Sequence, residues 1–213
     1  MRSTLIILAA VTALGGTVVI DRIAVIVGKQ VIKSSDVERD LRLTEFLNRE
    51  PLDLSVAARR KAASRLIDQL LIRTEIASGG YPRSTDSEAE ALLRQIERER
   101  FGGSATRMRL ELTKYGVTES ELRQQLLWQI TVLRFIQERF QPGVSVSDQD
   151  IRTYYDQHLA DLQRQNTGHS NFDQLAPKIR SLLEGQSVDR AFDDWLGRAR
   201  ERTHVEYREG AFQ

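Results

Sequence analysis

One short stretch constrains this chain most: Arg22 to Val37, RIAVIVGKQVIKSSDV. Two runs rich in β-branched residues flank Gly28-Lys29, and glycine at the first central position suits a two-residue type II′ turn. The stretch therefore predicts a β-hairpin. Ile23, Val25 and Val27 are expected on one face, and Arg22, Ala24 and Ile26 on the other. Ser34 or Ser35 is then placed to cap a helix. A two-stranded ribbon is marginal alone in water, so a third element is needed. The candidate is THVEYRE, Thr203 to Glu209, which alternates Val205 and Tyr207 with His204, Glu206 and Arg208.

Between these ends the sequence reads as helices. The first, with Val37, Leu41, Phe46 and Leu47 on its apolar side, ends at Glu50-Pro51, because a residue before proline avoids the helical region. The second is capped by Ser55 and runs to about Ser78, with Ala62, Ala63, Leu66, Ile67, Leu70, Leu71 and Ile76 repeating at three and four. Gly79-Gly80 stops it. Thr85 with Glu88, and Thr118 with Glu121, form capping-box pairs that open two more helices. A short helix containing Met108, Leu110, Leu112 and Tyr115 lies between them. The long helix after Thr118 stops at Gln141-Pro142-Gly143. Ser147 and Asp150 open another, which ends in the polar run RQNTGHSN. Phe172 to Leu183 and about Val188 to Arg202 are expected as two final helices. Only four prolines occur in 213 residues, in keeping with long helices. The expected fold is mainly α, with a small antiparallel sheet made by the N-terminal hairpin and the C-terminal strand.

Composition excludes several functions. Lys and Arg number 31 against 30 Asp and Glu, a net charge of +1, without the basic excess of a nucleic-acid binder. Helices within Met108–Phe135 have a helix-turn-helix outline, but this charge balance and the apolar N-terminus oppose a role on DNA. The cluster Arg59-Arg60-Lys61 reads as a solvated surface. With no cysteine there is no disulfide, thiol nucleophile or thiolate metal site. The three histidines, His158, His169 and His204, are scattered, and no phosphate loop, G-x-S-x-G or H-E-x-x-H motif occurs. No cofactor is indicated.

The N-terminus MRSTLIILAAVTALGG has one Arg, an apolar run from Leu5 to Leu14, and small residues after it. That is the layout of a secretory signal peptide, with Ala13 and Gly15 fitting cleavage before Gly16. Residues 1–15 are thus expected to be a leader and 16–213 an exported domain in the periplasm or cell envelope. A retained anchor and a buried first element are the alternatives. Leu5–Ile20 falls short of the ~20 apolar residues that span a bilayer, so membrane contact is expected only in transit through the leader.

The order of motifs resembles a known family. After the leader, Asp21–Val37 is similar to a V-D-R-I-V-A-V-V-N-x-x-V-I-T-x-S-E-L opening. It is followed by R-L-I-D-Q-L-L-I-R-T-E (Arg65–Glu75), the capped helix after Y-P-R-S-T-D-S-E, the F-G-G break, Y-G-V-T-E-S-E-L-R, and W-Q-I-T-V-L-R-F-I. This order resembles the N-terminal domain of SurA-like periplasmic chaperones over Asp21 to about Leu162. Phe172–Arg208 resembles the C-terminal helix and strand that return to that domain. In the family, parvulin-type prolyl isomerase domains of about 100 residues each sit between the two parts. Here residues 163–171 read as a loop, and no parvulin signature is present.

The resemblance implies an ATP-independent chaperone without isomerase activity. It would hold unfolded or nascent exported polypeptides, outer-membrane or secreted, in an apolar groove. Phe101, Met108, Tyr115, Trp128, Phe135 and Trp195 are the candidate groove residues, although core packing explains each equally well. A prolyl isomerase-family member and a dedicated binding subunit for one envelope protein are the other functional readings. Oligomeric state is not legible.

Overall fold

A computed structural model describes residues 21–165 and 171–212. The leader at 1–15 and its flank to Ile20 lie outside the described residues. Strands β1 (Ile23–Val27) and β2 (Gln30–Lys33) form the hairpin. Helices α1 (Ser34–Asn48), α2 (Val56–Gly79), α3 (Asp86–Phe101), α4 (Ala105–Tyr115) and α5 (Glu119–Phe140) follow. A 3-10 turn at Gln141–Gly143 leads to α6 (Asp148–Gln165) and α7 (Phe172–Glu201), and β3 (Val205–Tyr207) closes the sheet. The chain is mainly α with one small antiparallel sheet, in the order β2-β1-β3.

The third strand comes from the C-terminal segment. Val25, Ile26 and Val27 oppose Tyr207, Glu206 and Val205. The Gly28 amide donates to the His204 carbonyl at 2.8 Å, and the Arg208 amide to the Ala24 carbonyl at 2.9 Å. Gly28 has φ +57°, a left-handed conformation that glycine adopts without steric cost. Past β3, Phe212 returns to the core at 1% exposure, packed with Ala24, Val25, Val27, Ile32, Val37, Leu41, Ala62, Ala63 and Ile67.

Four expectations are corrected. Ile23 is 44% exposed while Ala24 and Val25 are both buried. The register shifts between Ile23 and Val25, and such a bulge breaks the alternation of faces. The start of α1 is capped by acids, not by Ser34 or Ser35. Asp21 accepts from the Ser35 amide at 3.2 Å, and Asp36 from the Lys33 amide at 3.1 Å. The two expected C-terminal helices are one continuous α7, running through Gly185. An interior glycine costs about 1 kcal/mol relative to alanine, and each half of α7 buries enough to offset that. Leu175 and Ile179 pack with Ile151, and Trp195 with Ile72 and Phe135. Finally, α6 continues to Gln165, inside the stretch read as a loop, while 166–170 lie outside the described residues. The other caps follow the sequence reading: Thr118 and Glu121 reciprocate at 2.8 and 3.2 Å, Thr85 donates to Glu88 at 2.7 Å, and the Ser55 hydroxyl accepts from Ala58.

The buried apolar residues form several separate clusters, which long helices join. Helix α1 faces the sheet with Val37 and Leu41, and faces α3, α4 and α5 with Leu43 and Phe46. Helix α5 serves that second cluster with Leu122 and Leu126 and a third with Phe135. Arg200 pins α7 to α2: its guanidinium donates to Asp68 at 2.7 Å and to the Ser64 carbonyl at 2.9 Å. That contact positions the end of α7 so that β3 meets β1.

If the C-terminal return completes the hairpin, Phe212→Ala should cost about 3 to 5 kcal/mol, the usual range for a buried Phe. Urea unfolding reads this, and amide exchange at Val25 and Val27 should accelerate with it. An unchanged midpoint would mean that the hairpin core stands without its C-terminal seal.

Candidate functional site

The separate clusters leave a gap. Between β2, α1, α2 and α5 lies an open cleft of about 590 Å³. Its apolar walls include Val31, Leu43, Leu66, Leu70, Leu127 and Trp128, and its polar walls include Gln69, Gln124 and Gln125. A second, shallower cleft of about 640 Å³ between α3 and α5 shares Gln124 and Leu127 with the first.

Charges in the first cleft are mostly neutralised within it. Arg39 pairs with Asp36 and with Glu121, each at 3.2 Å. Asp40 on α1 is buried and takes two hydrogen bonds from Arg65 on α2, at 3.0 and 2.7 Å, and one from Gln69 at 3.0 Å. Burial raises the Asp40 carboxyl above its ordinary value, against the opposing pull of Arg65. Glu121 lies below its ordinary value, held there chiefly by hydrogen bonds from the Thr118 amide and hydroxyl. Arg73 differs from these groups. Its guanidinium lies 4.1 Å from the centre of the Trp128 ring, a cation–π arrangement. Among the described residues it has no carboxylate partner.

The six candidate groove residues separate. Trp128 lines the cleft. Met108 is 1% exposed in the cluster of α1, α3, α4 and α5. Phe101 stacks on Phe46 in that cluster with centroids 6.3 Å apart, and Tyr115 meets Phe46 edge-on at 5.7 Å. Phe135 and Trp195 pack together at 5.5 Å between α2, α5 and α7, where Phe140 and Tyr81 join them. Sequence reasoning missed Val31, Gln69, Arg73, Gln124 and Gln125. A signal existed: Gln69 and Arg73 are four apart, and Gln124, Trp128 and Thr131 step by four and three, so amides and a ring run along helix faces beside the apolar stripes.

Of the described histidines, neither His158 nor His204 lines this cleft, and His169 lies outside the described residues. His158 stacks on Tyr154 with centroids 4.0 Å apart, and His204 lends its carbonyl to the sheet. Among the described residues no group of three or more His, Cys, Asp or Glu is placed to hold a metal ion. No helix among them is long and apolar enough to cross a membrane. A scan against protein-family models finds no match for the chain, and a search of curated proteins finds none either.

Asp40 gives the cleft a pH signature. A carboxyl whose folded value is raised binds more protons folded than unfolded between the two values, so its contribution to stability falls as pH rises through that window. Glu121, with a lowered value, has the opposite sign. Its stabilisation is present above the unfolded value and is lost as pH falls. Asp40→Asn should remove the first component and leave the second. Urea midpoints from about pH 3 to about pH 7 should therefore rise more steeply with pH in the variant than in the parent. Parallel profiles would mean that Arg65 fully offsets the burial of Asp40.

Proposed function

We propose that this protein is an ATP-independent holding chaperone of the cell envelope, related to the SurA-like family, that keeps unfolded outer-membrane or secreted polypeptides from aggregating. The observation that carries this reading is the open cleft between β2, α1, α2 and α5. It combines apolar walls, amide side chains and a stacked Trp128–Arg73 pair. Such a surface suits polypeptide binding. Leucines and valine accept varied apolar side chains, glutamines satisfy backbone groups in either direction, and an aromatic ring supplies large contact area at low entropic cost.

Two further features support the reading. The hairpin is sealed by the C-terminal strand, the arrangement the resemblance implies, and the order of motifs resembles that family over Asp21 to about Leu162 and Phe172–Arg208. Export through the leader would bring the chain to the compartment where such clients pass. Binding and release would need no covalent step; a client would leave by dissociation. Of the six aromatic and methionine candidates, a client held in this cleft would touch Trp128.

The test is light scattering of a chemically unfolded outer-membrane protein diluted into buffer. The purified chain lacking Met1–Gly15 should suppress the signal at near-stoichiometric ratio. Trp128→Ala should weaken suppression about tenfold in the concentration required, as expected for an aromatic contact residue, with unchanged helical circular dichroism. No suppression at large excess would overturn the chaperone reading.

A further inference from the structure

The hydrogen-bond pattern leaves Val31 open at the β2 edge of the sheet, as it leaves Val205 and Tyr207 at the β3 edge, and only the Val31 edge borders the cleft. Gly28 and Ala24 bond to β3 through their backbone groups, so Ile26, between them, also faces β3, opposite Glu206. In an antiparallel ladder a residue's amide and carbonyl point to one side only. Ile26 opposes Val31, so that pair is not hydrogen-bonded, and the Val31 amide and carbonyl point away from β1. Strand β2 is the outer strand of the sheet. Among the described residues neither Val31 backbone group finds a partner. Val31 is 47% exposed, its side chain shares the face of Ile26 opposite the core face of Ile32, and its edge borders the cleft beside Leu66, Leu70 and Trp128.

Natural sheets seldom leave an apolar, unpaired edge beside a hollow, because it invites another strand. Among the described residues Arg73 is also the one charged group of the cleft without a charged partner, whereas Asp36, Arg39, Asp40 and Glu121 are all paired. We propose that the cleft takes an extended polypeptide segment as a fourth strand on the Val31 edge of β2, selecting an acidic side chain among apolar ones for Arg73. This rests on the reading of the cleft as a polypeptide site. Main-chain bonds to Val31 would hold any sequence. Side chains on the cleft face would meet Leu66, Leu70 and Trp128, and their carboxylate would meet the guanidinium over Trp128. Strand addition of this kind draws affinity from backbone bonds and selectivity from alternate side chains.

The test uses a fluorescein-labelled, N-acetylated heptapeptide of sequence TLTETLT and anisotropy against the full chain without its leader. Leucines and glutamate share one face of that peptide. In a segment antiparallel to β2 the residue bonded to Val31 shares its face, away from the cleft, so N-methylation of the third and fifth amides together should weaken binding about tenfold, the loss of one well-made bond. N-methylation of the fourth, whose side chain faces the cleft and whose amide points away from β2, should change it little. Replacing the peptide glutamate with lysine should weaken binding about tenfold. Arg73→Glu should reverse that preference and bind TLTKTLT more tightly than TLTETLT. Arg73 is exposed and unpaired, so the fold should tolerate this change. Equal effects of methylation at all positions would overturn strand addition, and so would a charge preference that Arg73→Glu leaves unchanged. Suppressed aggregation together with either result would leave the chaperone reading standing without this binding mode. Parity-dependent peptide binding without suppression would keep the strand site and remove the holding activity.

Discussion

The backbone bonds between β1 and β3 hold this fold together across the greatest sequence distance. Without them β1 and β2 would be an isolated ribbon, marginal in water. With them, the ribbon becomes a sheet with a buried face made by Val25, Val27 and Ile32, against which α1 and α2 pack. Helices α4, α5 and α7 pack directly on those two, and α3 and α6 are positioned through α5 and α7. Closing the longest loop in the chain has an entropic cost that rises only slowly with length. The burial of Phe212 and the anchoring of Arg200 on α2 help to offset it.

The same constraint explains the cleft. Helices α1, α2 and α5 each divide their apolar residues between two clusters instead of committing them to one. Where the clusters separate, the helix faces between them are only partly covered, and those faces carry the half-buried Leu66, Leu70, Leu127 and Trp128 with glutamines among them. A single condensed core would have consumed these side chains. Ion pairs brace the gap: Arg39 to Glu121 ties α1 to α5, and Asp40 to Arg65 ties α1 to α2. The Asp40 pair is the costlier of the two, since a buried carboxylate loses hydration that its partner only partly replaces.

Local chemistry made much of this architecture legible. The glycine turn, the capping boxes at Thr85 and Thr118, the Ser147–Asp150 pair and the Gly80 stop each depend on residues within one turn of one another. So does the helical spacing of Ala62 to Ile76. The candidate site was less legible, because its defining property is which apolar residues are left unburied. Met108, Phe135, Trp195 and Trp128 share helical spacing and residue type, yet only Trp128 lines the cleft. Periodicity identifies the apolar face of a helix and is silent on whether another helix covers it.

The sequence by itself determined the first five helices, the caps at Ser55, Thr85, Thr118 and Ser147, the hairpin turn and the need for a third strand, because those follow from backbone sterics and near-neighbour hydrogen bonds. Tertiary structure alone decided the rest. It bulged β1 at Ala24 and turned Ile23 outward, and it carried α7 unbroken through Gly185. It left Arg73 stacked on Trp128 with no carboxylate partner among the described residues and the Val31 backbone facing outward at the sheet edge. Each of those outcomes depends on which distant surfaces meet and how much apolar area their meeting removes from water, a quantity that no local window of sequence contains.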